Sequence, residues 1–194
     1  VDGSDPRTDW QGIHEVDETV NVVNPAIGWL QNCNSTPFTS AGPDSPKRED
    51  YPVYMAPDPE NFRGIHAQRV LSDIDDLTLD GLIARAYDDE LPGFDALVGG
   101  LVEAWDASGG GDAPIAAAIE TLRDCDHRNN VDSVAMTLAH HYGMRYRDEG
   151  ARPNGTRGIA LIEYFGTGSP GEERLAVFER TVTSLTEDFG RWDV

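Results

Sequence analysis

Basic residues are scarce in this chain: 15 Lys and Arg stand against 35 Asp and Glu, a formal charge of −20. Phosphate backbones are held by clustered Lys and Arg, and no such cluster exists, so nucleic acid is excluded as a partner and an anionic membrane surface is disfavoured. Long apolar runs are missing too; nothing approaches the ~20 residues that a membrane-spanning helix needs. Cysteine is nearly absent. Cys33 and Cys125 are too few for a disulfide scaffold and too far apart in sequence for a metal knuckle, and whether they pair stays open, because a sequence fixes no distance between them. The common catalytic signatures are missing as well: no G-x-S-x-G, no H-E-x-x-H, no C-x-x-C and no Walker loop. With 39% hydrophobic and 8% aromatic residues, the chain is poorly supplied for a self-contained core yet too apolar for a disordered tail.

What is present changes character near residue 57. Residues 1–57 are rich in Pro, Asp, Asn and Ser and offer two short candidate strands, Thr19–Val23 and Gly28–Asn34, around a turn at Asn24-Pro25-Ala26-Ile27. Residues 35–57 carry five prolines and read as an irregular loop. From Asp58 the helical period dominates. Asp58-Pro59 supplies an N-cap and a first-turn proline for a helix over residues 60–72, and Thr78, Pro92, Asp112 and Asn130 precede four more. The clearest is the last: Ser169-Pro170-Gly171-Glu172 fits a capping box, followed by a stripe of Leu175, Phe178, Val182, Leu185 and Phe189. The expectation is an α+β chain, a short β-hairpin followed by about six helices, divided into a β/loop segment (1–57) and a helical segment (58–194). Val1 at one end and Gly190–Val194 at the other give both termini a cut appearance.

Few side chains read as chemistry. Adjacent helical residues point about 100° apart, so His140 and His141 cannot easily share an ion; His141, near an apolar stripe, is read as a core histidine rather than a metal ligand. The Asp75-Asp76 and Asp88-Asp89-Glu90 clusters lack the alternating oxygens and Gly of a calcium loop and read as solvated helix ends. Carboxylates oppose the dipole at a helix C-terminus, which leaves an ion or a partner at Asp88-Asp89-Glu90 as the lesser reading. No metal ligand is assigned. Asn32-Cys33-Asn34 is either a set of satisfied turn amides or a rigidly held N–H donor of the kind a developing oxyanion needs. Arg63, at the entrance of a stripe with Ala67, Leu71 and Ile74, either snorkels its charge to solvent or holds a carbonyl or carboxylate near a site.

Several stretches in order resemble the penicillin acylase family of N-terminal-nucleophile hydrolases. They are Asp2-Gly3-Ser4 with Trp10-Gln11-Gly12, the run from Asn24-Pro25 through Asn32-Cys33-Asn34 to Pro37-Phe38, Phe62-Arg63-Gly64 through Leu71, Leu77–Asp80, Leu122–Asp126 and Asp132–Ala135. The Asn-Pro-x-x-Gly…Asn-x-Asn-x-x-Pro pattern is the most specific of them. The likeness is nearest to the branch of acyl-homoserine-lactone acylases and aculeacin-type deacylases.

The resemblance implies a fold, a reaction and two site residues. The fold would be a helix-rich fragment of an αββα core. In such enzymes an amino-terminal Ser attacks an amide carbonyl with its own α-amine as base, so no separate histidine is needed. Asn34 matches the asparagine of the oxyanion hole; Arg63 matches the arginine supporting the site, and Arg69 echoes a second arginine. Val1 has no hydroxyl or thiol and cannot be the nucleophile, which makes the chain resemble an internal piece of a β subunit. Its partners would be the remainder of the acylase and a small acylated amide, drawn from β-lactams, homoserine lactones or lipopeptides. No cofactor is required for the reaction. A structural calcium would take most of its ligands from outside these residues. A periplasmic or extracellular setting is expected, consistent with the acidic surface. A different class of function, a non-catalytic helical interaction module, is the alternative.

Overall fold

In the computed structural model, which describes residues 2–72, 74 and 76–194, seven α-helices follow a long irregular segment. They are α1 (Phe62–Ser72), α2 (Leu79–Ala86), α3 (Gly93–Ser108), α4 (Ala113–Arg123), α5 (Val134–Glu149), α6 (Ile159–Glu163) and α7 (Gly171–Phe189). Helix α6 runs on into a π-turn over Tyr164–Gly168. Before α1 the chain makes only isolated 3₁₀ turns, such as Pro37–Thr39 and Arg48–Asp50. Among the described residues no helix is long and apolar enough to cross a membrane.

The expected β-hairpin is absent, and with it the α+β class: among the described residues there is no strand, only one isolated antiparallel bridge between Glu90 and Arg128. A two-stranded ribbon is marginal unless a hydrophobic face packs on something. Here Val23 is 78% exposed, so that face has no cover. The backbone also leaves the extended region where the ribbon would run, with φ of 50° at Asn24, 81° at Gly28 and 53° at Asn34. The Gln31 N–H is taken by Ser40 O at 2.9 Å rather than by a facing strand. The turn at Asn24–Ile27 does form, closed by Gly28 N–H to Pro25 O at 3.0 Å.

Helix starts follow local chemistry more closely than the coarse reading did. The Thr78 hydroxyl accepts from Gly81 N–H and caps α2 as expected. Helix α1 begins later than Asp58-Pro59 suggested, because Asn61 Oδ1 accepts the Gly64 N–H at 3.0 Å and so supplies the cap. Helix α5 likewise begins at Val134 on a Ser133 cap, leaving Val131 fully exposed outside it. The capping box at α7 does not form. Its serine is drawn into the interior instead.

The core lies between α3, α4, α5, α7 and the π-turn. Leu97, Val98 and Leu101 of α3 meet Ile119 and Leu122 of α4, Leu138 and Tyr142 of α5, and Phe178, Val182 and Leu185 of α7, all buried. The expected α7 stripe is thus buried at Phe178, Val182 and Leu185, while Phe189 emerges beyond the core. Aromatic packing orders the centre: Tyr146 stacks on Phe165 with centroids 4.2 Å apart, and Tyr142 meets Phe178 edge-on at 5.7 Å.

One buried cation sits in this core. The Arg174 guanidinium donates to Gly100 O (3.0 Å), Ser169 O (2.6 Å) and Ser169 Oγ (3.2 Å). Tyr146 OH donates to the same hydroxyl at 2.6 Å, and that hydroxyl donates on to Phe165 O at 3.0 Å. Every partner of Arg174 here is a neutral oxygen, so the side chain holds α3, the π-turn and α7 together without a carboxylate. Arg174→Met keeps the length but strands two buried carbonyls, and a loss of about 2–3 kcal/mol in urea unfolding is expected.

Candidate functional site

Asn34 sits in a loop rather than at a strand end, and three contacts fix it. Its φ of 53° is a left-handed conformation that Asn tolerates better than most residues. Its N–H donates to Asn32 Oδ1 at 2.9 Å, closing an Asx turn. Its carbonyl accepts from Asn61 Nδ2 at 3.2 Å, which also reaches Cys33 O at 3.1 Å. The side-chain oxygen accepts from Arg63 Nη2 at 3.2 Å.

That last contact decides which way the amide points. A guanidinium has donors only, so the atom facing Arg63 must be Oδ1. The amide nitrogen then faces away, and among the described residues it makes no hydrogen bond. Both Asn34 and Arg63 are exposed. The result is an exposed amide with an unused N–H, its oxygen held by Arg63, which lines a cleft.

The helix start and the loop are joined by a second layer of polar contacts. Glu60 accepts from the Thr39 hydroxyl, from Asn61 N–H at 2.9 Å and from Gln68 Nε2 at 3.2 Å. Pro59 O accepts from Thr36 N–H at 3.2 Å. Gly64 is buried where Glu60 and the Ser35 hydroxyl crowd it. These ties matter because α1 packs only lightly on the other helices. Hydrogen bonds, not apolar burial, hold Arg63 beside Asn34.

Beside this pair opens a cleft of about 900 Å³ with mostly apolar walls. Cys33, Phe62 and Arg63 lie on its lining together with Leu82, Phe94 and Leu161. Arg63, Ala67 and Leu71 share its surface as the stripe predicted, whereas Ile74 lies beyond the end of α1. Arg69, the echo of a second arginine, does not reach Asn34. It bonds Glu90 Oε1 at 2.5 Å and Asp95 Oδ2 at 2.8 Å, and the Asp95 bond leads in holding its guanidinium pKa above the ordinary value.

The acidic cluster at Asp88-Asp89-Glu90 is a clasp rather than a solvated helix end. All three residues are half-buried, and Arg128 Nη1 donates to Asp88 Oδ2 at 3.1 Å and Asp89 Oδ1 at 2.9 Å. Burial works to raise the Asp88 carboxyl pKa, but the Glu90 N–H and the Arg128 guanidinium outweigh it and hold it below its usual value. His66 Nε2 lies 3.3 Å from Asp88 Oδ1, and His66, Asp88 and Glu90 are the one group of potential metal ligands that converge among the described residues. Two of its three members already face guanidinium groups. No cage of carboxylate oxygens suited to calcium is assembled among the described residues, so no step is routed through that ion. Val1 and Asp75 lie outside the described residues.

The remaining expectations are settled by burial. His140 and His141 are both exposed, their rings nearly perpendicular with centroids 6.0 Å apart, so His141 is not a core histidine. Cys33 and Cys125 are free thiols; Cys125 lies 3.7 Å from Met136 Sδ, and burial pushes its pKa up. Sequence reasoning missed Asn61 and Glu60, while Asn32 fits the turn-amide reading, its Oδ1 accepting the Asn34 N–H. The signal for Asn61 was available, since an Asn directly before an apolar-periodic segment is a helix-start signature.

The geometry therefore amounts to an Asn34 amide whose oxygen is held by Arg63, with Arg63 and Cys33 on the lining of an apolar cleft, and among the described residues no nucleophile is hydrogen-bonded to that amide. The penicillin amidase family model matches residues 1–189, nearly the whole chain, and the chain belongs to that family of acylase-type amidohydrolases.

Proposed function

We propose that this chain forms part of an acylase that cleaves a linear amide, with Asn34 Nδ2 donating to the oxyanion and Arg63 keeping that amide oriented. The observation that carries the reading is the unused Asn34 N–H opposite an Oδ1 held by Arg63. The nucleophile, an amino-terminal Ser with its own amine as base, comes from outside these 194 residues.

The reaction balances simply. The Ser oxygen bonds to the amide carbon as its proton passes to the α-amine, and the carbonyl oxygen gains the negative charge that Asn34 stabilises. Collapse breaks the C–N bond, the proton moves to the leaving amine, and water then hydrolyses the acyl ester. Substrates are acylated β-lactams, homoserine lactones or lipopeptides, and the setting is periplasmic or extracellular.

A double-substitution cycle tests the pairing in the complete enzyme. Arg63→Lys keeps the charge but cannot reproduce the guanidinium fork, and a ~10-fold loss in kcat with KM nearly unchanged is expected, consistent with removal of one oriented hydrogen bond. In an Asn34→Ala background the same change should cost almost nothing. Additive losses, each persisting in the presence of the other, would show that Arg63 acts elsewhere.

A further inference from the structure

The geometry points to Asn61 as a positioning residue for the oxyanion donor, a role that rests on the reading of Asn34 given above. A single side chain serves both halves of the site. Its Oδ1 accepts the Gly64 N–H at 3.0 Å and caps the helix that carries Arg63 two residues later. Its Nδ2 donates to Cys33 O at 3.1 Å and to Asn34 O at 3.2 Å, fixing the loop that carries the donor. The backbone of Asn34 is thereby tied to the helix start whose side chain orients its amide.

This closes a small ring: Asn34 side chain to Arg63, Arg63 along the helix to its cap, and the cap back to the Asn34 carbonyl. Two features make the ring matter. Asn34 occupies a left-handed φ, a sparsely populated region that surrounding contacts must maintain. Helix α1 has little apolar packing of its own, so loop and helix have few other means of keeping register. Glu60 reinforces the same junction by accepting the Asn61 N–H at 2.9 Å, but it is hydrogen-bonded to neither Asn34 nor Arg63.

Among the described residues no other side chain bonds both the Cys33 and Asn34 carbonyls and a backbone N–H of the helix N-terminus. Serine, threonine or aspartate would cap the helix as well, yet none of them offers an amide N–H pair to the loop carbonyls. Asparagine is the residue type that does both from one position.

The test is steady-state kinetics of the complete enzyme on its amide substrate. Asn61→Asp keeps a capping oxygen but replaces the donor with a carboxylate facing two carbonyls; Asn61→Ser keeps the cap and removes the donor without adding charge. Both are expected to lower kcat about 10-fold or more with KM within ~2-fold, the pattern of an interaction expressed in the transition state. Thermal unfolding of Asn61→Ser should stay close to that of the parent, which separates positioning from loss of fold. In an Asn34→Ala background, Asn61→Ser should have no further effect on kcat.

Three outcomes overturn the role. An unchanged kcat for both variants does so. An equal kcat loss for Asn61→Ser with and without Asn34 does so as well, because Asn61 would then act independently of the donor. A KM effect with constant kcat would place Asn61 in substrate binding instead. If Asn34→Ala itself leaves turnover intact, the oxyanion reading fails first, and the two failures remain distinguishable.

Discussion

Asn34→Ala is expected to cut kcat by about 10²–10³ in the complete enzyme, corresponding to roughly 3–4 kcal/mol of transition-state stabilisation from one oxyanion donor. The physical basis is timing. A ground-state carbonyl and a tetrahedral oxyanion differ in charge, so a donor placed for the latter contributes mainly as that charge develops. The contacts behind this expectation are in place without substrate: the Asn34 oxygen is held by Arg63, its backbone by Asn32 and Asn61, and its side-chain N–H is uncommitted among the described residues. Because the side chain is exposed and packs in no core, its removal should lower the free energy of unfolding in urea by only about 1 kcal/mol, the strain of Ala at a left-handed φ. Asn34→Asp is the sharper variant. It keeps the shape and strengthens the contact to Arg63, but presents acceptors where a donor is needed, so its kcat should fall at least as far. A folded Asn34→Ala enzyme turning over near the parental rate would refute the assignment.

How much of this was legible beforehand depends on which interactions are local. Helices α2, α3 and α4 lie close to where period and capping residues put them, because caps and apolar stripes are written within a few neighbouring positions. The strands failed for the opposite reason. Thr19–Val23 and Gly28–Asn34 alternate suitably, but strand formation depends on a partner, and the left-handed φ values at Asn24, Gly28 and Asn34 break the path. Ser169 shows the same lesson at a helix start. It fits a capping box locally, yet its hydroxyl is worth more beside Tyr146 and Arg174 in the interior. Asn34 and Arg63 are 29 positions apart in sequence, so only resemblance could join them, and Asn61 escaped because Asp58-Pro59 offered a plausible earlier cap.

The least legible contact predicts the largest stability effect. Glycines 99 and 100 are neighbours in the middle of α3, and sequence treats them alike, as helix weakeners each costing about 1 kcal/mol relative to Ala. The structure separates them. A Cβ at Gly99 would meet nothing within 4 Å, whereas one at Gly100 would lie 1.6 Å from the carbonyl oxygen of Gly166. On the other side, a Cβ at Gly166 would lie 2.3 Å from Ala96 O. Helix α3 and the π-turn thus touch backbone to backbone, and the obstacle is a main-chain carbonyl that cannot rotate away like a flexible side chain. Relief would require the π-turn to withdraw. That would pull Phe165 off Tyr146 and move Ser169, at the end of the π-turn, away from Arg174, so packing and a buried polar network would be lost together. Gly100→Ala is therefore expected to cost at least about 4 kcal/mol, beyond ordinary overpacking and near the whole stability of a marginal domain. Gly99→Ala should instead raise stability by about 0.5–1 kcal/mol, the helix-propensity gain alone. Paired urea unfolding curves decide it: equal shifts of the same sign at the two positions would mean that α3 and the π-turn do not meet as described.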